Sequence, residues 1–304
     1  MESILTQAGL LYHFWPAQAF IIAFCVILGI ILSGTIMLTF IGLLYLINTL
    51  FGDEIRLFIK KKWSGISSDL NEIIRENIQK TFFFHGAENI PRGKPVLYAA
   101  HPHGLFSMAT YFHWATFSTG WPEDLCKIKI AIHSSLFLIP GVRELLDMHG
   151  CIKATRESIE RALDEGYSVI IQVGGINEIM LTESNRMNIY VKSRKGFLEI
   201  AEKKGVPIIP VLTFGENELF PLQKDPWTLS FQKGLKDYFG ITVPIPTAQS
   251  FFNWFSLLQK PLKPSVETWI GEPLKASTKK EFVDSLKRLF SKNRPSYCRE
   301  LIFY

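Results

Sequence analysis

The sequence predicts an α/β protein with a largely parallel sheet and flanking helices, preceded by an N-terminal transmembrane helical hairpin. Two observations predict the body. Four short β-like runs, Pro95–Ala100, Ile128–Ile132, Tyr167–Val173 and Val206–Phe214, are almost continuously apolar, as strands covered on both faces are. Helical stretches alternate with them, which is the pattern of βαβ units. A third observation predicts the hairpin: after Glu2 no Asp, Glu, Lys or Arg occurs until Asp53.

The hairpin comes first in the chain. Leu10–Phe51 is mostly Ile, Leu, Phe, Val and Ala, and it exceeds twice the ~20 residues one spanning helix needs. Gly29, Ser33, Gly34 and Thr35 suit a turn between two spans. A signal peptide would have a basic start, a far shorter apolar region and a cleavage site. A buried soluble hairpin is the alternative, but a charge-free run of this length points to lipid. Arg56, Lys60, Lys61 and Lys62 follow, and positive flanks stay cytosolic and attract anionic headgroups. The expected organisation is therefore a hairpin over residues 1–52 and a cytosolic body over residues 53–304.

In the body, Thr155–Glu165 opens on a Thr N-cap and stops at Gly166. Arg194–Lys204 stops at Gly205. Ser277–Phe290 opens on Ser277 and sets Phe282, Leu286 and Leu289 on one face. Gly240–Ser265 is rich in Pro and aromatic residues and reads as a long excursion, a lid or a membrane-contacting loop.

Composition excludes several classes. Apolar residues are 47% of the chain and charged ones 20%, which is incompatible with disorder. The net charge of +5 is too mild to argue for nucleic acid. The four cysteines, Cys25, Cys126, Cys151 and Cys298, form neither a C-x-x-C pair nor a disulfide framework. There is no G-x-S-x-G elbow, no phosphate-binding G-x-x-x-x-G-K-[ST] and no G-x-G-x-x-G.

The polar motifs follow the strand candidates. His101-Pro102-His103-Gly104 follows the first, Gly174-Gly175-Ile176-Asn177-Glu178 the third, and Gly215-Glu216-Asn217-Glu218 the fourth. In an open parallel sheet the carboxyl ends of strands share one edge, where ligands bind. An imidazole there can take a proton from a hydroxyl. The histidines also read as structural, or as part of a zinc site with His133 as a third ligand. Arg194-Lys195-Gly196-Phe197 sets two cations at a helix start, which favours phosphate, although a solvated basic turn has the same composition. Glu178, Glu216 and Glu218 read equally as histidine-orienting, hydroxyl-binding or turn-capping residues.

YAAHPHG (98–104), PGVREL (140–145), VGGINE (173–178), RKGFLEIA (194–201) and PVLTFGENELF (210–220) together resemble the type-2 diacylglycerol acyltransferase family, which includes monoacylglycerol and wax-alcohol acyltransferases. The likeness runs from about Phe84 to Pro273, and the hairpin fits it. The run from RKGF onward also resembles blocks of the glycerolipid acyltransferases, whose fold it implies. The resemblance implies an acyl-CoA-dependent O-acyltransferase of lipid biosynthesis, in the endoplasmic reticulum membrane and at lipid droplets. Acyl-CoA is its co-substrate, with no other cofactor and no metal. Its partners are acyl-CoA, an acylglycerol or other lipid alcohol and membrane lipids, with a homo-oligomer left open.

Diacylglycerol is the expected acceptor, giving triacylglycerol; monoacylglycerol or a long-chain alcohol is the alternative. A membrane lipid hydrolase and a non-catalytic lipid-droplet scaffold are the rivals from other classes. The resemblance makes His103 the general base, with His101 and Glu178 beside it in the catalytic centre. Substrate binding is expected of Gly104, Gly174 and Gly175, whose backbone N–H groups would face the oxyanion. It is also expected of Arg194, Lys195, Gly196 and Phe197, where cations at a helix start would hold CoA phosphates, and of Glu216 and Asn217, which fall on the family's F-G-E-N block. Residues 245–264 replace the family's glycine-rich segment and are expected to shape the acceptor site.

Overall fold

The computed structural model describes residues 75–105, 107–125, 127–139, 142–239, 244–275 and 278–304. The hairpin expected over residues 1–52 lies outside them, as do Cys126 and Ser277. Among the described residues no helix is long and apolar enough to cross a membrane.

Chain contacts separate His133–Cys151 from the unit that holds Ile73–Ile132 and Ile152–Tyr304. In chain order the first elements are β1 (Phe82–His85), β2 (Leu97–His101), the short helix α1 (Met108–Thr110) and β3 (Ile128–Ile132). The separate segment carries a 3₁₀ turn, Ser134–Leu138, and α2 (Val142–Met148). Then come β4 (Ile152–Lys153), α3 (Arg156–Asp164), β5 (Ser168–Gln172), α4 (Ile176–Leu181), β6 (Arg186–Ile189) and α5 (Gly196–Lys204). The chain continues through β7 (Ile208–Phe214), α6 (Glu216–Leu219), α7 (Pro226–Phe239), α8 (Ala248–Leu257), β8 (Val266–Ile270), α9 (Lys279–Asn293) and β9 (Glu300–Phe303).

Seven strands form one sheet in the order β1-β8-β7-β2-β5-β3-β4. The four strands read from the sequence are its centre, β7-β2-β5-β3, and all pair in parallel. β8 runs antiparallel to β7, and β1 pairs parallel to β8. The expectation of a largely parallel sheet with flanking helices therefore holds. A second, two-stranded parallel sheet joins β6 to β9.

Alternation along the central strands builds both layers. Leu97 and Ala99 of β2, Val169 of β5, and Ile208 and Leu212 of β7 bury one face under α3, α5 and α9, through Leu163, Phe197, Phe282 and Leu286. On other contacts, Tyr98 meets Trp114, which meets Trp121 in turn, while Phe82 of β1 meets Phe112. Every residue of β7 is buried, as expected of a strand with no solvent face.

The helix ends follow local chemistry. The Thr155 hydroxyl caps α3 by accepting from the Ser158 N–H, and α5 stops at Gly205 in the left-handed conformation. Two boundaries need correction. α5 starts at Gly196, so Arg194 and Lys195 precede its first turn. α9 is capped by Thr278 in a capping box with Glu281. Within the expected excursion, α8 is pinned by Ser250 and Asn253, which donate to the Pro221 and Leu219 carbonyls.

Candidate active site

β2, β5 and β7 end side by side, and each is followed by a polar turn. The His101 side chain is the last of β2 and is fully buried. Its Nδ1 lies 2.7 Å from Glu178 Oε1. Glu178 stands one helical turn after Gly175, at the start of α4, and is also fully buried. Its second oxygen accepts from the His103 backbone N–H at 2.8 Å, and Oε1 accepts again from the Tyr190 N–H at 3.0 Å. Two oxygens accepting from three N–H groups are acting as a carboxylate. One side chain therefore holds both histidine positions of the H-P-H-G motif. With its Nδ1 proton directed at Glu178, His101 has its lone pair on Nε2, which is buried without a partner.

His103 is half-buried. Its Nδ1 faces the Gly104 carbonyl at 3.2 Å and the Ser107 hydroxyl at 3.3 Å. The Ser107 hydroxyl gives its own proton to the His103 carbonyl at 2.7 Å. Both neighbours of Nδ1 thus accept, which fixes the proton there and leaves Nε2 basic. Burial lowers the His103 pKa from the usual histidine value, against the opposing pull of the Glu178 charge. The ring is neutral at neutral pH and able to take a proton.

The glycines are spaces for the acids. A Cβ on Gly174 would sit 2.5 Å from Glu178 Oε2, and one on Gly104 would sit 2.6 Å from Glu216 Oε1. Glu216 is buried at the start of α6 and accepts from the Met108 N–H at 2.7 Å and the Ala109 N–H at 3.2 Å. Gly175 has φ +56, and its nearest neighbour would be an Arg194 Nη2 at 3.6 Å.

The cationic turn reaches this edge through Arg194. Arg194 Nη2 donates to the Gly174 carbonyl at 3.1 Å, its guanidinium lies over the Tyr190 ring, and its Nε is buried without a partner. Lys195 and Gly196 are exposed at the start of α5. Phe197 is buried in the core, edge-on to Phe282. Asn217 lines a small cavity with Thr213, Tyr297 and Cys298, and its Oδ1 is buried without a partner. The fold thus brings His101, His103, Gly104, Gly174, Gly175, Glu178 and Arg194 into one connected group. Glu216 joins it through Gly104, while Phe197 and Asn217 face elsewhere.

Sequence reasoning missed Ser107 and Tyr190. Ser107 reaches His103 through a hydroxyl within the turn after the motif, and Tyr190 reaches Glu178 through its backbone N–H, so no motif in the sequence singles out either. His133 caps the turn that follows it, its Nδ1 facing the Ser135 hydroxyl at 2.8 Å. Among the described residues no three His, Cys, Asp or Glu side chains are grouped where they could hold a metal ion.

The family model for diacylglycerol acyltransferase matches residues 32–301, a wider span than the five motifs cover. Diacylglycerol O-acyltransferase 2 of Dictyostelium discoideum is 30% identical over 223 residues, 67% of each chain. Diacylglycerol O-acyltransferase 2 of Xenopus tropicalis is 29% identical over 67% of this chain and 62% of its own. 2-Acylglycerol O-acyltransferase 1 of Mus musculus is 24% identical over 69% of this chain and 68% of its own. Among solved structures, the 1-acyl-sn-glycerophosphate acyltransferase PlsC of Thermotoga maritima aligns over 97% of this chain and 99% of its own at 18% identity, with a TM-score of 0.45. With the motifs in order and the family model spanning most of its length, the chain belongs to the diacylglycerol acyltransferase family.

Proposed function

We propose that this chain, by family an acyl-CoA-dependent acylglycerol O-acyltransferase, esterifies diacylglycerol to triacylglycerol with His103 as the general base. The observation that carries the reading is the Glu178 carboxylate, which holds the His101 ring and the His103 backbone together at the carboxyl edge of the sheet. His103 Nε2 takes the proton from the acceptor hydroxyl. The oxygen attacks the thioester carbonyl, the C–S bond breaks, and CoA leaves as a thiolate to which the proton returns. Backbone N–H groups at Gly104 or at Gly174 and Gly175 are our choice for the developing oxyanion. Arg194, Lys195 and the start of α5 are our choice for the CoA phosphates, because a helix N-terminus and a guanidinium both favour phosphate. Residues 245–264 border the path of the acceptor, and the catalytic body works at the cytosolic face of the endoplasmic reticulum membrane or a lipid droplet.

A second reading makes His101 the base. It is favoured by the 2.7 Å pair with Glu178, which fixes the His101 tautomer just as an orienting carboxylate does. Membranes from cells expressing the chain, incubated with labelled oleoyl-CoA and monoacylglycerol, diacylglycerol, a long-chain alcohol or no acceptor, test both. Labelled triacylglycerol is expected from the parent. Loss of a base typically costs ~10²–10⁴ in rate, so His103→Ala is expected to abolish the signal. Near-parent turnover by His103→Ala with none by His101→Ala overturns the first reading in favour of the second. Labelled ester with the alcohol or monoacylglycerol alone overturns the choice of acceptor.

A further inference from the structure

We propose that Glu216 is a positioning residue for His103: it contacts neither substrate but holds the turn that fixes the ring of the base. The inference rests on His103 being that base. The contacts form a continuous bracket. Glu216 accepts from the backbone N–H groups of Met108 and Ala109, the first two residues of α1. Ser107, immediately before them, is held in the left-handed conformation and donates to the His103 carbonyl. The Ser107 hydroxyl and the Gly104 carbonyl are the two acceptors that face His103 Nδ1. Gly104 has φ +62 and lacks the Cβ that would strike the Glu216 carboxyl. Remove the carboxylate and the start of α1 loses its anchor, the Ser107 turn loosens, and the ring loses its defined tautomer and direction. Glu216 is 3% exposed, and each of its carboxyl oxygens is already engaged by a backbone N–H of α1.

The bracket is sensitive to a proton. A carboxylate offers an acceptor to each N–H, whereas a carboxylic acid spends one oxygen on its own proton. Burial raises the Glu216 pKa to about 7, against the pull of the Met108 and Ala109 N–H groups. The titratable groups around it are few. α8, packed on α6, has no ionisable residue, and His103 lies across the bracket. Glu218, on the same short helix, is engaged by the Asn185 N–H. Glu267, beyond the Gly215 turn, is engaged by His85 and Ser265. Two limbs therefore shape kcat. Glu216 must be ionised, so activity falls as pH drops through about 7. His103 must be neutral, and its lowered pKa sets a second fall below the usual histidine range.

The test measures kcat and the KM for oleoyl-CoA and for diacylglycerol from pH 5 to 9, on the full chain in detergent or proteoliposomes. It compares the parent, Glu216→Gln, Glu216→Asp and His103→Ala, and a thermal midpoint checks that each is folded. Glu216→Gln is expected to lower kcat roughly 10–100-fold, since small misplacements of catalytic groups cost about 10². Both KM values should stay within about twofold of the parent, because uniform binding is untouched. The limb near neutrality should vanish, leaving the lower one. Glu216→Asp keeps an ionisable carboxylate and should recover part of kcat and a neutral limb, which also serves if the Gln variant does not fold. An unchanged kcat and profile in Glu216→Gln, or a raised KM with kcat intact, overturns the proposal while an inactive His103→Ala still upholds the base. Near-parent turnover by His103→Ala overturns both.

Discussion

Glu178 accepts hydrogen bonds from three groups on two segments of the chain, residues 101 and 103 of the H-P-H-G turn and residue 190. The space it fills exists because residue 174 has no side chain. Gly174→Ala would place a Cβ 2.5 Å from Glu178 Oε2 and against backbone-anchored atoms rather than a flexible tip. The carboxylate must move, and both histidines lose their anchor. We expect a stability loss of ~1–3 kcal/mol, the usual cost of overpacking, and a fall in kcat of about 10²-fold. Gly205→Ala is the control. It ends α5 at φ +63 with nothing within 4 Å of the new Cβ, so it should cost ~1–2 kcal/mol of left-handed strain and leave kcat alone. Thermal melts and steady-state rates on the two variants check the contrast. The Gly174–Glu178 run was legible in the sequence as a polar motif after a strand, while the helix α4 that carries its acid was not. Nor were the partners of that acid, because one is a ring 77 residues away and two are backbone N–H groups that any residue type supplies.

At the scale of elements, α9 shows why the central layer was readable and the edges were not. Its apolar stripe repeats at helical spacing, and Phe282 and Leu286 are fully buried while Leu289 packs partly. Phe282 meets Phe197 at 5.0 Å and lies 6.0 Å from the His101 ring. Phe282→Ala should therefore cost ~3–5 kcal/mol, seen as a lower denaturation midpoint, and should also lower kcat because His101 loses the ring beside it. Leu289→Ala should cost less and leave kcat close to the parent. Of the four strands legible in the sequence, β2 and β7 are buried along their whole length, and β3 and β5 are half-buried in places but sit in the centre of the sheet. β8 reads Val-Glu-Thr-Trp-Ile and alternates buried with half-buried residues, with two polar residues in five where β3 has one. β6 and β9 pair across more than a hundred residues, so no local pattern announces their partnership. β4 has two residues and no pattern to read.

The whole molecule sets three polar turns at one edge of the sheet and leaves a second, apolar feature apart from them. From Tyr238 to Gln259 no charged residue occurs, while Lys233, Lys236 and Asp237 precede the run and Lys260 and Lys263 follow it. α8 turns Ser250 and Leu257 inward but leaves Phe252 and Phe255 68% and 47% exposed, and α7 leaves Trp227 and Tyr238 72% and 87% exposed. Phe252 and Phe255 stand exposed three residues apart on one short helix, and paired exposed aromatics of this kind mark a contact surface. Exposed aromatics between lysines match the composition of a segment lying in a lipid interface. If residues 245–264 border the path of a lipid acceptor, these rings matter to its delivery rather than to the fold. The double variant Phe252→Ser, Phe255→Ser should change stability by no more than ~0.5 kcal/mol per site, as for exposed positions. It should lower turnover of long-chain diacylglycerol presented in vesicles severalfold, and lower turnover of a dispersed short-chain diacylglycerol much less. Equal loss on both acceptors would assign the two rings to the chemistry at the sheet edge, and no loss on either would remove residues 245–264 from the acceptor path.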